Sequence, residues 1–153
     1  MSVKSKSKKN RTIRKHKWSH WSDSITSVWV RGRCREVGMR STQLLAEELR
    51  GTVKWAVDYL MEEPLTLERL HDIVPPFMRQ EMRVEHAVDE EALHAAYPKL
   101  SEKVLHELYL CIEGFLVVLI REGAEVAKAN KLKSIQPKHV NQIRLKYFTI
   151  PDN

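Results

Sequence analysis

The stretch that decides the fold is "SEKVLHELYLCIEGFLVVLIREGAEVAKAN" (101–130), continued without a break by "KLKSIQPKHV" (131–140). Thirty residues pass without a proline. Leu105, Leu108, Ile112, Phe115, Leu116, Leu119, Gly123, Val126 and Ala127 recur at three- and four-residue steps, the period of one helix face. At 1.5 Å per residue this predicts a rod of roughly 45 Å. Leu110, Val117, Val118 and Ile120 broaden the apolar surface around much of the circumference, so the middle of the rod is expected to be buried on several sides. A basic loop follows. Pro137 then fits the first position of a last helix, which runs through Val140, Ile143 and Arg144 to about Tyr147.

Upstream, "STQLLAEELRGTVKWAVDYLMEE" (41–63) reads as a helix with Ser41 or Thr42 as its cap, ended by Pro64 and weakened slightly by Gly51. Short helices are predicted over 66–74, closed by Pro75-Pro76, and over 88–97, capped by Asp89 with Pro98 beyond. No strand alternation of useful length, no internal repeat and no glycine-rich phosphate loop interrupts them. The expected fold class is all-α. Three tryptophans crowd "WSHWSDSITSVWVRGRCREVG" (18–38), where a Ser, Thr and β-branched mix opposes a long helix. Such costly aromatics are expected to pack onto the body or a partner rather than float in water.

The chain has 153 residues, 42% of them apolar, enough for one domain with a tail. Its net charge of +6 hides an asymmetry. Met1–Arg40 holds twelve Lys or Arg against only Asp23 and Glu36, whereas residues 41–153 hold fourteen basic and eighteen acidic ones. A mildly acidic body therefore carries a strongly basic arm, of the kind that attracts polyanions or serves nuclear import. Residues 1–17 are expected to be a disordered basic tail, 18–40 a Trp-rich basic extension, and 41–153 the folded domain. Cys34 and Cys111 cannot build a disulfide framework and have no zinc-ligand spacing. No apolar run reaches the roughly 18 residues of a bilayer span, and no signal-peptide core precedes the arm.

The layout and letters of residues 115–144 resemble the histone fold, most closely core histones of the 2A type. The residues that carry the resemblance are Gly123-Ala124, Ala127, Asn130-Lys131, Ile135 and Pro137-Lys138-His139-Val140, at matching spacing and without a gap from Phe115 to Val140. The resemblance implies a heterodimer with a second histone-fold chain, crossed in a handshake around the two central helices. Leu105, Leu108, Ile112, Phe115, Leu116 and Leu119 would meet the partner, Ile135 would bridge to the partner's first loop, and Val140 would dock the last helix. It also implies a paired-loop grip on the phosphates of double-stranded DNA. Lys131, Lys133, Ser134 and Lys138 would form that grip, aided by Arg11, Arg14, Lys15, Lys17, Arg31, Arg33 and Arg35 of the arm. A nuclear, chromatin-associated location follows, or a virion if a virus encodes its own histones.

The sequence also departs from the family. Ser134 stands where 2A-type histones place a groove-inserting arginine, four tryptophans are foreign to ordinary core histones, and residues 64–98 exceed the family's first loop. The favoured alignment takes 41–63 as the first helix and 64–98 as a helical insert; the other takes 88–97 as the first helix and "PKL" as a tight loop. No cofactor, metal or small-molecule substrate is expected. His16 and His20 lack a third ligand, and His86, His94 and His106 fall on polar helical faces. Glu62, Glu63, Asp89, Glu90 and Glu91 read as solvated runs, and Cys111 as a small core residue. No nucleophile elbow or carboxylate dyad points to an enzyme. Three functions compete: DNA packaging; a histone-fold subunit of a transcription, replication or kinetochore assembly in which the fold mainly mediates pairing; and a basic-tailed RNA- or ribosome-associated helical protein.

Overall fold

A computed structural model describes residues 18–80 and 83–147. The expected tail 1–17, with Arg11, Arg14, Lys15 and Lys17, lies outside the described residues. Within them the fold is all-helical: α1 (Ser27–Glu36), α2 (Gln43–Leu60), α3 (Leu67–Ile73), α4 (Glu90–Ala96), α5 (Glu102–Ala129) and α6 (Pro137–Tyr147). Short 3-10 turns at Trp21–Ser24 and Pro76–Met78 complete the order. Each of the first five helices starts on a side chain that can accept an orphan backbone N–H. Thr26 takes Trp29 N–H, Thr42 takes Leu45, Thr66 takes Arg69, Asp89 takes Glu91 and Ala92, and Ser101 takes Val104. Such caps stabilise a helix by about 1 kcal/mol each and fix where it begins.

The elements fall into two halves of short–long–short pattern. α1, α2 and α3 have 10, 18 and 7 residues, and α4, α5 and α6 have 7, 28 and 11. α5 is the axis. Every residue from Leu108 to Ile120 is buried, and all five other helices and the 76–78 turn pack against it. α6 wedges between α5 and α2 and closes the core with Val140 and Ile143. The eight side chains expected at a partner chain (Leu105, Leu108, Ile112, Phe115, Leu116, Leu119, Ile135 and Val140) all lie in this core, each 5% exposed or less. The chain itself covers the rod, because residues 18–80 and the 83–101 connection wrap the faces that α6 leaves open.

The tryptophans account for much of that wrapping. Trp18 Nε1 donates to Asp89 Oδ2 (3.4 Å), Trp21 Nε1 to Tyr97 Oη (3.4 Å) and Trp29 Nε1 to the Glu85 carbonyl (2.6 Å). Three indole N–H groups of the extension thus hold the connection and α4. Tertiary packing also overrides the Ser/Thr/β-branched composition, so a ten-residue helix forms at 27–36 once Thr26 caps it. From the other side, Glu113, in the middle of α5 and 1% exposed, accepts Ala87 N–H (3.0 Å to each oxygen) and Val88 N–H (2.7 Å). Burial pushes its pKa up, against the pull of those two N–H groups and His86. No helix among the described residues is long and apolar enough to cross a membrane.

The 76–78 turn crosses α5 at Gly114, where a Cβ would lie 2.1 Å from the Met78 carbonyl oxygen. At Gly51 on α2 a Cβ would meet nothing within 4 Å. Gly114→Ala is therefore expected to cost at least about 1–3 kcal/mol, because backbone must move. Gly51→Ala should instead stabilise by about 0.5–1 kcal/mol through helix propensity. Urea unfolding of the two variants checks this pair; equal effects would show that α5 and the turn do not meet as described.

Candidate nucleic-acid interface

The loop after α5 is built from the helix end outward. Asn130 caps α5, Lys131 N–H donates to Lys128 O (2.9 Å) and Leu132 N–H to Ala127 O (2.9 Å). This double bond pattern closes a helix when the residue after the cap turns left-handed. That residue is Lys131, at φ 60°, where glycine is the unstrained choice. The side chains then alternate outward and inward. Lys131 and Lys133 are exposed, Leu132 and Ser134 are half-buried, and Ile135 is fully buried. Ile135 reaches α5 at Gly123, where a Cβ would lie 3.2 Å from the Ile135 Cγ2 methyl.

The loop does not stand alone. Arg40 N–H donates to the Lys133 carbonyl (2.8 Å) and Ile135 N–H to the Arg40 carbonyl (3.4 Å), a parallel bridge between Arg40 and Ser134. The bridge joins the α1–α2 loop of one half to the α5–α6 loop of the other, so Ile135 bridges to a segment of its own chain. It sets the exposed Arg40 beside Lys133. Lys128 adds a further cation, its Nζ lying 3.9 Å from where a Gly38 Cβ would stand. Lys138, also exposed, sits on the first turn of α6. Among the described residues, none of Arg40, Lys128, Lys131, Lys133 and Lys138 is held in a carboxylate ion pair. Uncommitted cations beside exposed loop backbone form an edge suited to a polyanion.

α6 starts on a reciprocal cap. His139 Nδ1 accepts Gln136 N–H (3.0 Å) while His139 N–H donates to Gln136 O (2.9 Å). With Nδ1 an acceptor, the ring proton sits on Nε2, which is buried without a partner. A depression of about 580 Å³ opens beside it, lined by Asn130, Leu132, Lys138, His139 and Gln142.

Of the residues singled out for DNA, Lys131, Lys133, Ser134 and Lys138 come together here, with Ser134 half-buried in the bridge rather than projecting. Arg31, Arg33 and Arg35 lie on α1 around a different cavity, with Glu85 and His86. Arg40 and Lys128 were not singled out. Lys128 follows the helical period onto this edge, but Arg40 is brought in by a contact spanning more than ninety residues, which no local pattern signals. Cys34 and Cys111 are pushed up to about 11 and about 12, first by burial, so both are protonated thiols. No group of three or more metal-ligating side chains occurs among the described residues. No known protein family, curated protein or solved structure matches this chain.

Two measurements test the geometry of the loop. Lys131→Gly relieves the left-handed strain and should stabilise by up to about 1 kcal/mol, whereas Lys131→Ala should not; urea midpoints of the two variants decide. His139 is held below the usual histidine range, first by burial and then by the Lys138 cation, and burial lowers His20 as well. The unfolded chain therefore binds these protons near pH 6.5 while the folded chain does not. Their contribution is intact above that pH and is lost as pH falls below it. The urea midpoint should drop from about pH 7 to about pH 5.5, and His139→Asn, whose Oδ1 keeps the acceptor, should flatten the drop. An unchanged slope would remove His139 from the account.

Proposed function

We propose that this chain binds duplex DNA as a histone-type packaging protein whose handshake is closed within one polypeptide. The observation that carries the proposal is the Arg40–Ser134 bridge. It pairs the first loop of a short–long–short half with the second loop of another, which is the contact that the histone resemblance of residues 115–144 implies between two chains. Residues 18–80 then take the place of the expected second chain. α4 becomes the short first helix of the second half, with Tyr97–Ser101 as its loop, in preference to the alignment that makes 64–98 an insert. Arg40, Lys128, Lys131, Lys133 and Lys138 supply the phosphate grip, and the loop backbone and the positive end of α6 add to it. A chromatin-associated or virion location belongs to the same proposal.

A grip of this kind reads charge rather than bases, so affinity should fall steeply with salt. The expected slope of log affinity against log salt is about −0.9 for each phosphate neutralised, or roughly −4.5 for the five cations. Charge reversal at Arg40, Lys131 and Lys133 should lower affinity at least tenfold and flatten the slope by about 2–3, with sequence preference absent in both proteins. Fluorescence anisotropy on unrelated duplexes across a salt series reads all three quantities. A slope unchanged by the triple reversal would refute the grip and favour the second proposal, a pairing subunit of a transcription, replication or kinetochore assembly. The observation behind that alternative is the exposed apolar set Phe77 and Leu145 beside Tyr147, together with Ser134 in place of a groove arginine.

A further inference from the structure

We propose that the cavity between α1 and residues 85–87 is a phosphate-binding site, separate from the paired loops and independent of the histone assignment. It measures about 400 Å³, and Arg31, Arg33, Arg35, Glu85 and His86 contribute to its wall. Both sides are fixed in advance. The Trp29 indole N–H holds the Glu85 carbonyl at 2.6 Å, and Glu113 holds the Ala87 and Val88 amides at 2.7–3.0 Å. α1 is held from its Thr26 cap, and Arg33 lies 5.6 Å from the Trp29 ring centroid. A site that needs no ordering on binding keeps more of its interaction energy.

Arg33 lines this cavity from α1. Its side chain is 16% exposed and its Nη2 meets Glu36 Oε2 at 3.1 Å. Its Nε and Nη1 are buried with no acceptor, a condition that folded proteins avoid unless an ion or water completes it. Arg31 and Arg35, one turn apart and both exposed, bring two more guanidinium groups to the same wall. Three arginines stand against Glu85 and the Glu36 already paired with Arg33, an excess of one positive charge. A phosphate group brings up to about two charges and three strong acceptor oxygens, and guanidinium forks match it in bidentate geometry. The same wall contains Gly32, where a Cβ would meet nothing within 4 Å. Glycine is a poor choice for the interior of an exposed helix, and here its missing side chain leaves the cavity open.

The test uses the full chain and inorganic pyrophosphate as the probe. Titration calorimetry and thermal unfolding are run at ionic strength matched with sodium chloride. The wild type should bind one pyrophosphate saturably and its Tm should rise by several degrees. Gly32→Glu fills the cavity with a charge of the phosphate's own sign and improves helix propensity, so the protein should fold normally and lose at least tenfold in pyrophosphate affinity. Arg31→Gln combined with Arg35→Gln, both at exposed positions, should lose a comparable factor. Unchanged pyrophosphate affinity in Gly32→Glu would overturn the proposal, as would an equal Tm rise from chloride alone. The source of the phosphate is read from duplex DNA. A matching loss of DNA affinity in Gly32→Glu assigns the cavity to backbone phosphate, and unchanged DNA affinity assigns it to a free phosphate compound. If the wild type binds no duplex, the paired-loop proposal fails while the pyrophosphate result still decides the cavity.

Discussion

A helix that is apolar all round must be surrounded, and from that constraint the rest of the chain follows. Thirteen consecutive buried residues of α5, Leu108 to Ile120, leave no side for solvent. Each large aliphatic among them contributes about 1.5–3 kcal/mol when removed from water, so a bare flank would forfeit most of the fold's driving force. One short C-terminal helix cannot cover such a rod. The N-terminal half and the connection therefore share the task, and the connection must carry its own polar backbone into the core. Glu113 answers that need. A carboxylate is costly to bury, yet two amides of the connection pair with it, and neither would find an acceptor on an all-aliphatic helix.

The same covering arrangement produces the basic edge. Once α2 and α6 pack together against α5, the loops at their starts run side by side, and two main-chain bonds join Arg40 to Lys133 and Ile135. Ile135 anchors that junction from inside through its contact at Gly123. The cations on the outside are then fixed by backbone rather than by their own flexible stems. Lys131 is the informative member. A left-handed helix terminator is strained in any residue with a Cβ, and glycine would close the same turn without strain. A lysine held there makes sense where its charge is used.

Much of this was legible in the sequence, for identifiable reasons. The bounds of α4, α5 and α6 were marked by Asp89, Ser101 and Pro137, residues whose effect is local. The resemblance of residues 115–144 drew attention to Lys131, Lys133, Ser134 and Lys138, and the structure gathers those four at one edge. What escaped was long-range. Arg40 reaches the loop only through a bridge across the whole fold, no local pattern sets Glu113 apart from other helical glutamates, and the paired short–long–short halves share no visible sequence repeat. The eight core residues were recognised as apolar, but the source of their cover was not, because a hydrophobic stripe states that it needs a partner surface without stating whose.

The tryptophans connect the cover to the two cationic sites. Trp29, on the buried side of α1, is 6% exposed, while its indole N–H ties down Glu85 on the far wall of the arginine cavity. Trp21, at 3% exposure, reaches Tyr97 at the end of α4. Large aromatics with one polar atom suit this position, because they bury area and still satisfy a stray backbone or hydroxyl group. Phenylalanine would supply the area and leave the Glu85 carbonyl without that donor. The extension that the sequence marked as anomalous is thus a structural belt. By holding α1 against the body, it keeps Arg31, Arg33 and Arg35 at the cavity and sets the α1–α2 loop where Arg40 can bridge to Lys133.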